Sequence, residues 1–262
     1  MPIFDSAGVP IHYRDQGTGP PVVLVHGFAA SARSNWEETN WISFLGARYR
    51  VLALDCRGHG LSGKPHEREA YGPENMGGDI IRLLDHLGIA RALLMGYSMG
   101  AAISLHTVLS HPTCFRALVL GGIGTGPGGM AERGRTQSIA QVLLAEDPRP
   151  IIDKMARDFG RVAEMAREFR RFAEANRNDL KALGACIAHD RPDFSPARLA
   201  TISIPVMVVI GTKDTLVGSA EELARAIPGA KLVELEGRDH LNAVGDKRFK
   251  EAVERFFSSA PA

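Results

Sequence analysis

The sequence predicts an α/β protein with one sheet of eight strands, mostly parallel and flanked by helices. Short apolar runs without polar interruptions recur along the chain and end next to turn-forming residues. Strands that are buried on both faces give such runs, as the strands of parallel sheets do. Helical patterns lie between several of these runs, and the long stretch 122–198 has helical patterns but no strand pattern.

The first two strands are expected to pair in the antiparallel direction. Residues 2–5 and 9–15 flank Ser6-Ala7-Gly8, whose composition is typical of a turn. Six later apolar runs are predicted to form the remaining strands. They are 22–25, 51–54, 92–95, 117–120, 206–210 and 231–235.

Apolar residues at helical spacing predict the helices that cover the sheet. These helices are 76–87, 99–109, 220–227 and 249–257. Four more helical patterns fall inside 122–198, at 139–145, 151–159, 165–175 and 180–188. We interpret 122–198 as a helical cap inserted into a core formed by 1–121 and 199–262. The insertion leaves after the strand 117–120 and returns before the strand 206–210. We expect both exits to lie near the sheet edge where open α/β sheets bind ligands, and therefore expect the insertion to cover the site.

The composition argues against several classes of protein. The 262 residues include 31 Lys and Arg and 30 Asp and Glu, and a net charge of +1 does not suit binding to nucleic acid or to a membrane surface. The widely spaced Cys56, Cys114 and Cys186 predict neither a disulfide framework nor a metal site. The N-terminal segment lacks the pattern of a signal peptide, and no apolar run could span a bilayer, so we expect a cytoplasmic protein.

The segment Gly96-Tyr97-Ser98-Met99-Gly100 carries the strongest functional signal. It has the pattern G-x-S-x-G at the point where a buried strand ends and a helix begins. A nucleophilic serine in that place needs a tight, strained turn, and Gly96 and Gly100 are small enough to let strand and helix approach each other. We therefore predict that Ser98 is a nucleophile.

A serine nucleophile needs a histidine base and a carboxylate that orients it, here in the chain order Ser, acid, His. Of the histidines after Ser98, His240 follows the last predicted strand and is the predicted base. Asp214 follows the strand 206–210 within Gly211-Thr212-Lys213-Asp214 and is the predicted acid. Asp239 is a weaker alternative, because it adjoins His240 and would point away from it.

Two backbone N–H groups are predicted to bind the negative oxygen of a tetrahedral intermediate. One belongs to Met99, at a helix N-terminus, and the other to Phe28, after His26-Gly27. His26 is expected to shape this loop by hydrogen bonding. The dense motif 55–62 is expected to be a structural loop in which Asp55 and Arg57 pair with each other.

In five motifs the chain resembles the α/β-hydrolase superfamily, and the resemblance covers nearly its whole length. The motifs are Val25-His26-Gly27-Phe28, 55–62, 96–100, 211–214 and Asp239-His240. The chain looks most like the branch of serine esterases, enol-lactonases and carbon–carbon bond hydrolases. Relatives that open epoxides or dehalogenate alkanes carry Asp where this chain has Ser98. Peptidases that release proline often carry Trp where it has Met99.

The function that we expect is hydrolysis of a small carboxylic ester, lactone or thioester through Ser98, His240 and Asp214, without a cofactor or metal. Two alternatives remain. One uses the same three residues for perhydrolysis or for cleavage of a carbon–carbon bond. The other is a small-molecule receptor with this fold and little turnover. In each case the expected partner is a small molecule, ester-like for the enzymes, and not nucleic acid or a membrane.

Overall fold

The computed structural model describes residues 2–125, 129–159, 161–189, 192 and 194–260. The predicted fold class is confirmed, because the chain forms an eight-stranded sheet flanked by helices. The strands are β1 (Ile3–Ser6), β2 (Val9–Gln16), β3 (Pro21–Val25), β4 (Arg50–Leu54), β5 (Ala92–Tyr97), β6 (Phe115–Gly121), β7 (Val206–Gly211) and β8 (Lys231–Leu235).

The strands follow the order β1-β2-β4-β3-β5-β6-β7-β8 across the sheet. The β1–β2 and β2–β4 pairs are antiparallel, and every later pair is parallel. The carboxyl ends of β3 to β8 therefore lie along one edge of the sheet, and that edge is where the predicted site residues follow their strands.

Helices surround this sheet. They are α1 (Trp41–Gly46), α2 (Pro73–His86), α3 (Met99–Ser110), α4 (Gly129–Leu144), α5 (Arg149–Phe159), α6 (Arg161–Ala175), α7 (Leu180–Ala188), α8 (Pro196–Leu199), α9 (Ala220–Ala226) and α10 (Lys247–Ser258). The sequence pattern predicts neither α1 nor the π-helical turn Arg33–Glu37 before it. With six and five residues, both are too short to display a helical repeat.

Both faces of the sheet are covered, as the unbroken apolar runs predict. Along β3, Val22 and Leu24 pack into one core cluster, whereas Val23 and Val25 pack into the other. Successive side chains of a strand point to opposite faces. Because all four side chains are fully buried, both faces of the sheet are covered at β3. The cluster of Val22 includes residues of α1 and α10, and that of Val23 includes residues of α2, α3 and α4.

The described residues of the segment between β6 and β7 form the helices α4 to α8, which are joined by short turns and loops. Of this segment, 126–128, 160, 190–191 and 193 lie outside the described residues. Val142 and Leu143 of α4 are buried in the same core cluster as α2 and α3. The Arg170 guanidinium donates to the carbonyls of Val142, Leu143 and Ala145 at 2.8–3.0 Å, which ties α6 to the end of α4. The expectation that both ends of this segment lie at the carboxyl edge of the sheet is wrong: β6 and β7 are parallel, so the segment leaves the carboxyl end of β6 and returns to the amino end of β7. That 122–198 acts as a cap on the core stays a prediction.

In the described part of the chain, no helix has both the length and the apolar character that are needed to cross a bilayer. Cys56, Cys114 and Cys186 form no disulfide with one another. Burial raises the pKa of the Cys56 thiol well above its usual value, so this side chain stays protonated.

Candidate active site

Ser98 occupies a sharp turn between β5 and α3. Its backbone has φ 53° and ψ −115°, a conformation that residues other than glycine rarely adopt. The turn is held because the Ser98 N–H donates to the Gly121 carbonyl of β6 at 2.8 Å. A side chain at Gly96 would overlap the Gly100 carbonyl, and one at Gly100 would overlap the Val25 carbonyl. These glycines therefore let β3, β5 and α3 meet beneath Ser98.

The structure brings Ser98, His240 and Asp214 together in one hydrogen-bonded chain. His240 Nε2 lies 2.9 Å from Ser98 Oγ, and His240 Nδ1 lies 2.7 Å from Asp214 Oδ2. An ionised carboxylate can only accept, so Nδ1 carries the ring proton and Nε2 accepts from the Ser98 hydroxyl. The Asp214 side chain is fully buried and that of His240 is 10% exposed, so water competes little for these bonds.

Further hydrogen bonds fix Asp214 and the loop that carries His240. The other oxygen of Asp214, Oδ1, accepts from the Leu216 N–H at 3.0 Å. The Tyr97 hydroxyl donates to the His240 carbonyl at 2.7 Å, which holds the loop after β8 against the residue preceding Ser98. Asp239 turns away from His240, because its carboxylate accepts from the backbone N–H groups of Leu241 and Asn242.

The segments that carry the two predicted N–H donors both adjoin Ser98. Met99 is the first residue of α3, where a helix leaves its N–H groups without a partner in the same helix. Phe28 follows Gly27, and a Cβ on Gly27 would stand 3.5 Å from the Cβ of Ser98. The structure thus places the loop of Phe28 next to the serine side chain.

The loop after β3 is held by two side chains. His26 Nδ1 bonds the Gly27 carbonyl at 2.8 Å, and His26 Nε2 accepts from the Cys56 N–H at 3.0 Å. Burial lowers the pKa of His26, so its ring stays neutral and joins the Gly27 carbonyl to the Cys56 N–H. The neighbouring His59 is also buried, which lowers its pKa to about 3.

Asn35, which no sequence motif indicates, is the second side chain that holds this loop. Its Oδ1 accepts from the Gly27 N–H at 2.7 Å, and the residue also lines the cleft above Ser98. Asn35 sits in the π-helical turn, where backbone hydrogen bonds span five residues instead of four. This spacing turns the Asn35 side chain to a direction that it would not have in an α-helix. No spacing rule in the sequence indicates such a turn.

The prediction that Asp55 and Arg57 pair with each other is wrong. Arg57 instead donates twice to Asp79 of α2, at 2.8 and 2.6 Å. Asp55 accepts from the Ala32 N–H at 2.7 Å and lies 3.0 Å from His12 Nδ1. Although Asp55 and Arg57 are only two residues apart, their side chains bond to different parts of the chain. The motif is structural, as predicted, but it ties three segments together.

A cleft of about 100 Å³ opens above Ser98. Its walls come from the loops after β3, β7 and β8 and from α6, so the helical segment between β6 and β7 contributes to it directly. The lining residues are Gly27, Phe28, Ala30, Asn35, Tyr97, Ser98, Glu168, Phe169, Phe172, Leu216, His240, Leu241 and Val244. Phe169 of α6 meets Phe28 edge to face, with ring centroids 5.5 Å apart.

Comparison with known proteins gives consistent matches. Residues 20–245 match the family described as alpha/beta hydrolase fold. A solved hydrolase from Pseudomonas aeruginosa is 28% identical, with a TM-score of 0.80 and 98% of both chains covered. The enol-lactonase from Burkholderia xenovorans is 26% identical, with a TM-score of 0.79, and covers 98% of this chain and 100% of that one.

A curated epoxide hydrolase from Caballeronia sordidicola is 37% identical over 42% of this chain. The match spans 33% of the length of that relative, and 36% and 59% of two further curated relatives. Because these matches cover only part of each relative, they indicate the fold rather than the substrate.

Proposed function

Because this chain belongs to the alpha/beta hydrolase fold family, we propose that it hydrolyses a small carboxylic ester, lactone or thioester through Ser98. The observation that carries the proposal is the hydrogen-bonded chain from Ser98 Oγ through His240 to Asp214, which begins at a strained turn above the sheet. A serine hydroxyl with that connection is a nucleophile with its base in place.

In the first step, Ser98 Oγ attacks the carbonyl carbon while its proton passes to His240 Nε2. The ring becomes positively charged, and the Asp214 carboxylate at Nδ1 stabilises that charge and keeps the ring oriented. The carbonyl oxygen becomes negative and accepts hydrogen bonds from the N–H groups of Phe28 and Met99. The α3 dipole, whose positive end lies at Met99, favours the same charge.

The intermediate then collapses to an acyl-enzyme. The bond from the carbonyl carbon to the leaving oxygen or sulfur breaks, and His240 returns the proton to that atom. Water next gives a proton to His240 and attacks the acyl carbon. The bond to Ser98 Oγ breaks, the proton returns to Oγ, and a carboxylic acid leaves.

Epoxide opening is disfavoured for this chain, although some curated relatives carry that name. Relatives that open epoxides use an Asp nucleophile, which forms an ester that water can hydrolyse. Ser98 attacking an epoxide would instead form an ether, which offers no carbonyl for water to attack. The matched enol-lactonase supports acyl transfer, because a lactone is an internal ester.

The proposal is tested by mixing the protein with a nitrophenyl ester in a stopped-flow instrument. We expect a burst of nitrophenol equal to the concentration of sites, followed by steady turnover, and an acyl adduct on Ser98 by mass spectrometry. Tight binding of the ester without a burst or turnover would instead indicate a receptor. An adduct on another residue would contradict the assignment of Ser98.

Asn35→Ala is expected to lower kcat roughly tenfold with little change in KM. The variant removes the acceptor that orients Gly27, and so misplaces the Phe28 N–H in the transition state. Direct loss of an oxyanion donor typically costs about 10²–10³-fold, and an indirect displacement should cost less. Steady-state kinetics with a nitrophenyl ester measures both constants.

Asn35→Asp is the matched variant, because it keeps an acceptor oxygen for the Gly27 N–H. We expect it to recover most of the lost kcat. A merely structural role for Asn35 would lower the melting temperature of both variants while leaving kcat per folded site unchanged, and that result would contradict the prediction.

Phe169→Ala is expected to shift the acyl preference towards longer chains. The Phe169 ring lines the cleft and contacts Phe28, so its removal opens space beside Ser98. Since one methylene in a pocket is worth about 1–3 kcal/mol, the ratio of kcat/KM for a long to a short acyl chain should rise roughly tenfold. Leu144→Ala in α4 is the control, because Leu144 is exposed and lies outside the lining. An unchanged ratio in Phe169→Ala would show that α6 does not limit the acyl chain.

A further inference from the structure

The wall that α6 contributes to the cleft carries a negative charge. Glu168 lines the cleft and is exposed, and among the described lining residues there is no Arg or Lys. No ion pair between described residues involves Glu168. A negatively charged substrate group at this wall would therefore meet a carboxylate and no fixed positive charge.

The arginines of α6 do not neutralise this wall. The Arg170 guanidinium is engaged with the carbonyls at the end of α4 and with Glu174. Arg167 and Arg171 are exposed and lie outside the residues that line the cleft. Glu168 is thus the charge that a substrate in the cleft meets on this side.

Aromatic and apolar surface lies beside Glu168. Phe172 is one helical turn further along α6, on the same side of the helix, and is 39% exposed. Phe169 lies next to Glu168 in the chain, and Leu241, which is 69% exposed, also lines the cleft. A carboxylate next to aromatic rings is a combination that recognises an alkylammonium group, because the rings attract the cation and the carboxylate neutralises it.

We propose that this cleft selects esters that carry an alkylammonium group, and that it disfavours esters with a second carboxylate. Glu168 and Phe172 hold the ammonium group while the ester carbonyl sits at Ser98. The inference rests on the proposed hydrolysis at Ser98 and adds the charge of the substrate. A site for esters with two negative charges would need a positively charged side chain at this wall, whereas the described wall carries Glu168.

The test compares three esters of one acid that differ at a single atom or group. One is the choline ester, the second replaces the quaternary nitrogen by carbon, and the third carries a carboxylate at that position. A parallel set carries the same three groups on the acyl side, so that either orientation of the ester can reach α6. We expect kcat/KM for the cationic ester to exceed that of its neutral isostere by about five- to tenfold in at least one set. The anionic ester should be the poorest of its set.

Glu168→Gln should bring the ratio of kcat/KM for the cationic ester to kcat/KM for its neutral isostere close to one. Glu164→Gln is the matched control, because Glu164 is exposed one turn earlier on α6 and lies outside the lining. This control should keep the wild-type ratio. A ratio near one in the wild type, or a ratio that Glu168→Gln leaves intact, would overturn the inference.

Binding separates this inference from the proposed hydrolysis. In Ser98→Ala, calorimetry should give a Kd for the choline ester about five- to tenfold lower than for its neutral isostere, and Glu168→Gln added to this variant should abolish the difference. Equal affinities would overturn the selection of cations even if all esters were hydrolysed. Unequal affinities without turnover in the wild type would support the selection and contradict the proposed hydrolysis.

Discussion

Ser98→Ala is expected to lower ester turnover on the order of a million-fold and to leave the fold intact. The variant removes the oxygen that attacks the carbonyl, and neither His240 nor the N–H groups of Phe28 and Met99 can replace it. Alanine keeps the Cβ that this turn already accommodates, so the backbone at φ 53° should be retained. Single-turnover kinetics with a nitrophenyl ester gives the loss, and circular dichroism gives the fold.

Ser104→Ala is the control for this experiment. Ser104 lies on α3, six residues beyond Ser98, and its buried hydroxyl has no hydrogen-bond partner among the described residues. We expect the control to keep full activity. If folded Ser98→Ala kept more than a trace of turnover, a different nucleophile would have to be sought.

Asp214→Asn should lower kcat by about 10⁴-fold with almost no change in structure, by analogy with the same change in other enzymes with a serine triad. The asparagine amide can donate to Nδ1, which leaves the ring proton on Nε2. In that tautomer His240 cannot accept the Ser98 proton, although the ring stays in place. The expected loss is tested by measuring kcat of the purified Asp214→Asn variant with an ester that has a good leaving group.

Asp239→Asn is the matched control, because Asp239 is one residue from His240 and yet bonds its own turn. Its effect on kcat should be small, with at most a modest loss of stability. If Asp239→Asn were the more damaging of the two changes, Asp214 would not be the acid.

The sequence predicts the fold class and the positions of Ser98, Asp214 and His240 because each depends on local pattern and chain order. A buried strand followed by a small-residue helix predicts the turn at Ser98. The end of a parallel strand predicts which sheet edge Asp214 and His240 reach. The structure places the three in hydrogen-bond contact, although they are separated by up to 142 residues.

Features that depend on tertiary packing could not be predicted in the same way. The partner of Arg57 is Asp79, on a helix whose distance from the loop no local pattern reveals. Asn35 reaches Gly27 through a π-helical turn that has no sequence repeat. Likewise, the helical periodicity of α6 predicts an amphipathic helix, but not that Glu168 and Phe172 face the cleft.

The hydrogen bond from the Tyr97 hydroxyl to the His240 carbonyl bears on how the protein is made. Synthesis proceeds from the N-terminus, and Tyr97 leaves the ribosome long before His240, which lies 143 residues later. The strands β1 to β6 can pair with one another without β7 or β8, as their positions in the sheet show. Ser98 therefore exists in the nascent chain before its proposed base, His240, has been synthesised. In the proposed mechanism the Ser98 hydroxyl becomes reactive only when the loop after β8 docks, so activity follows the docking of that loop.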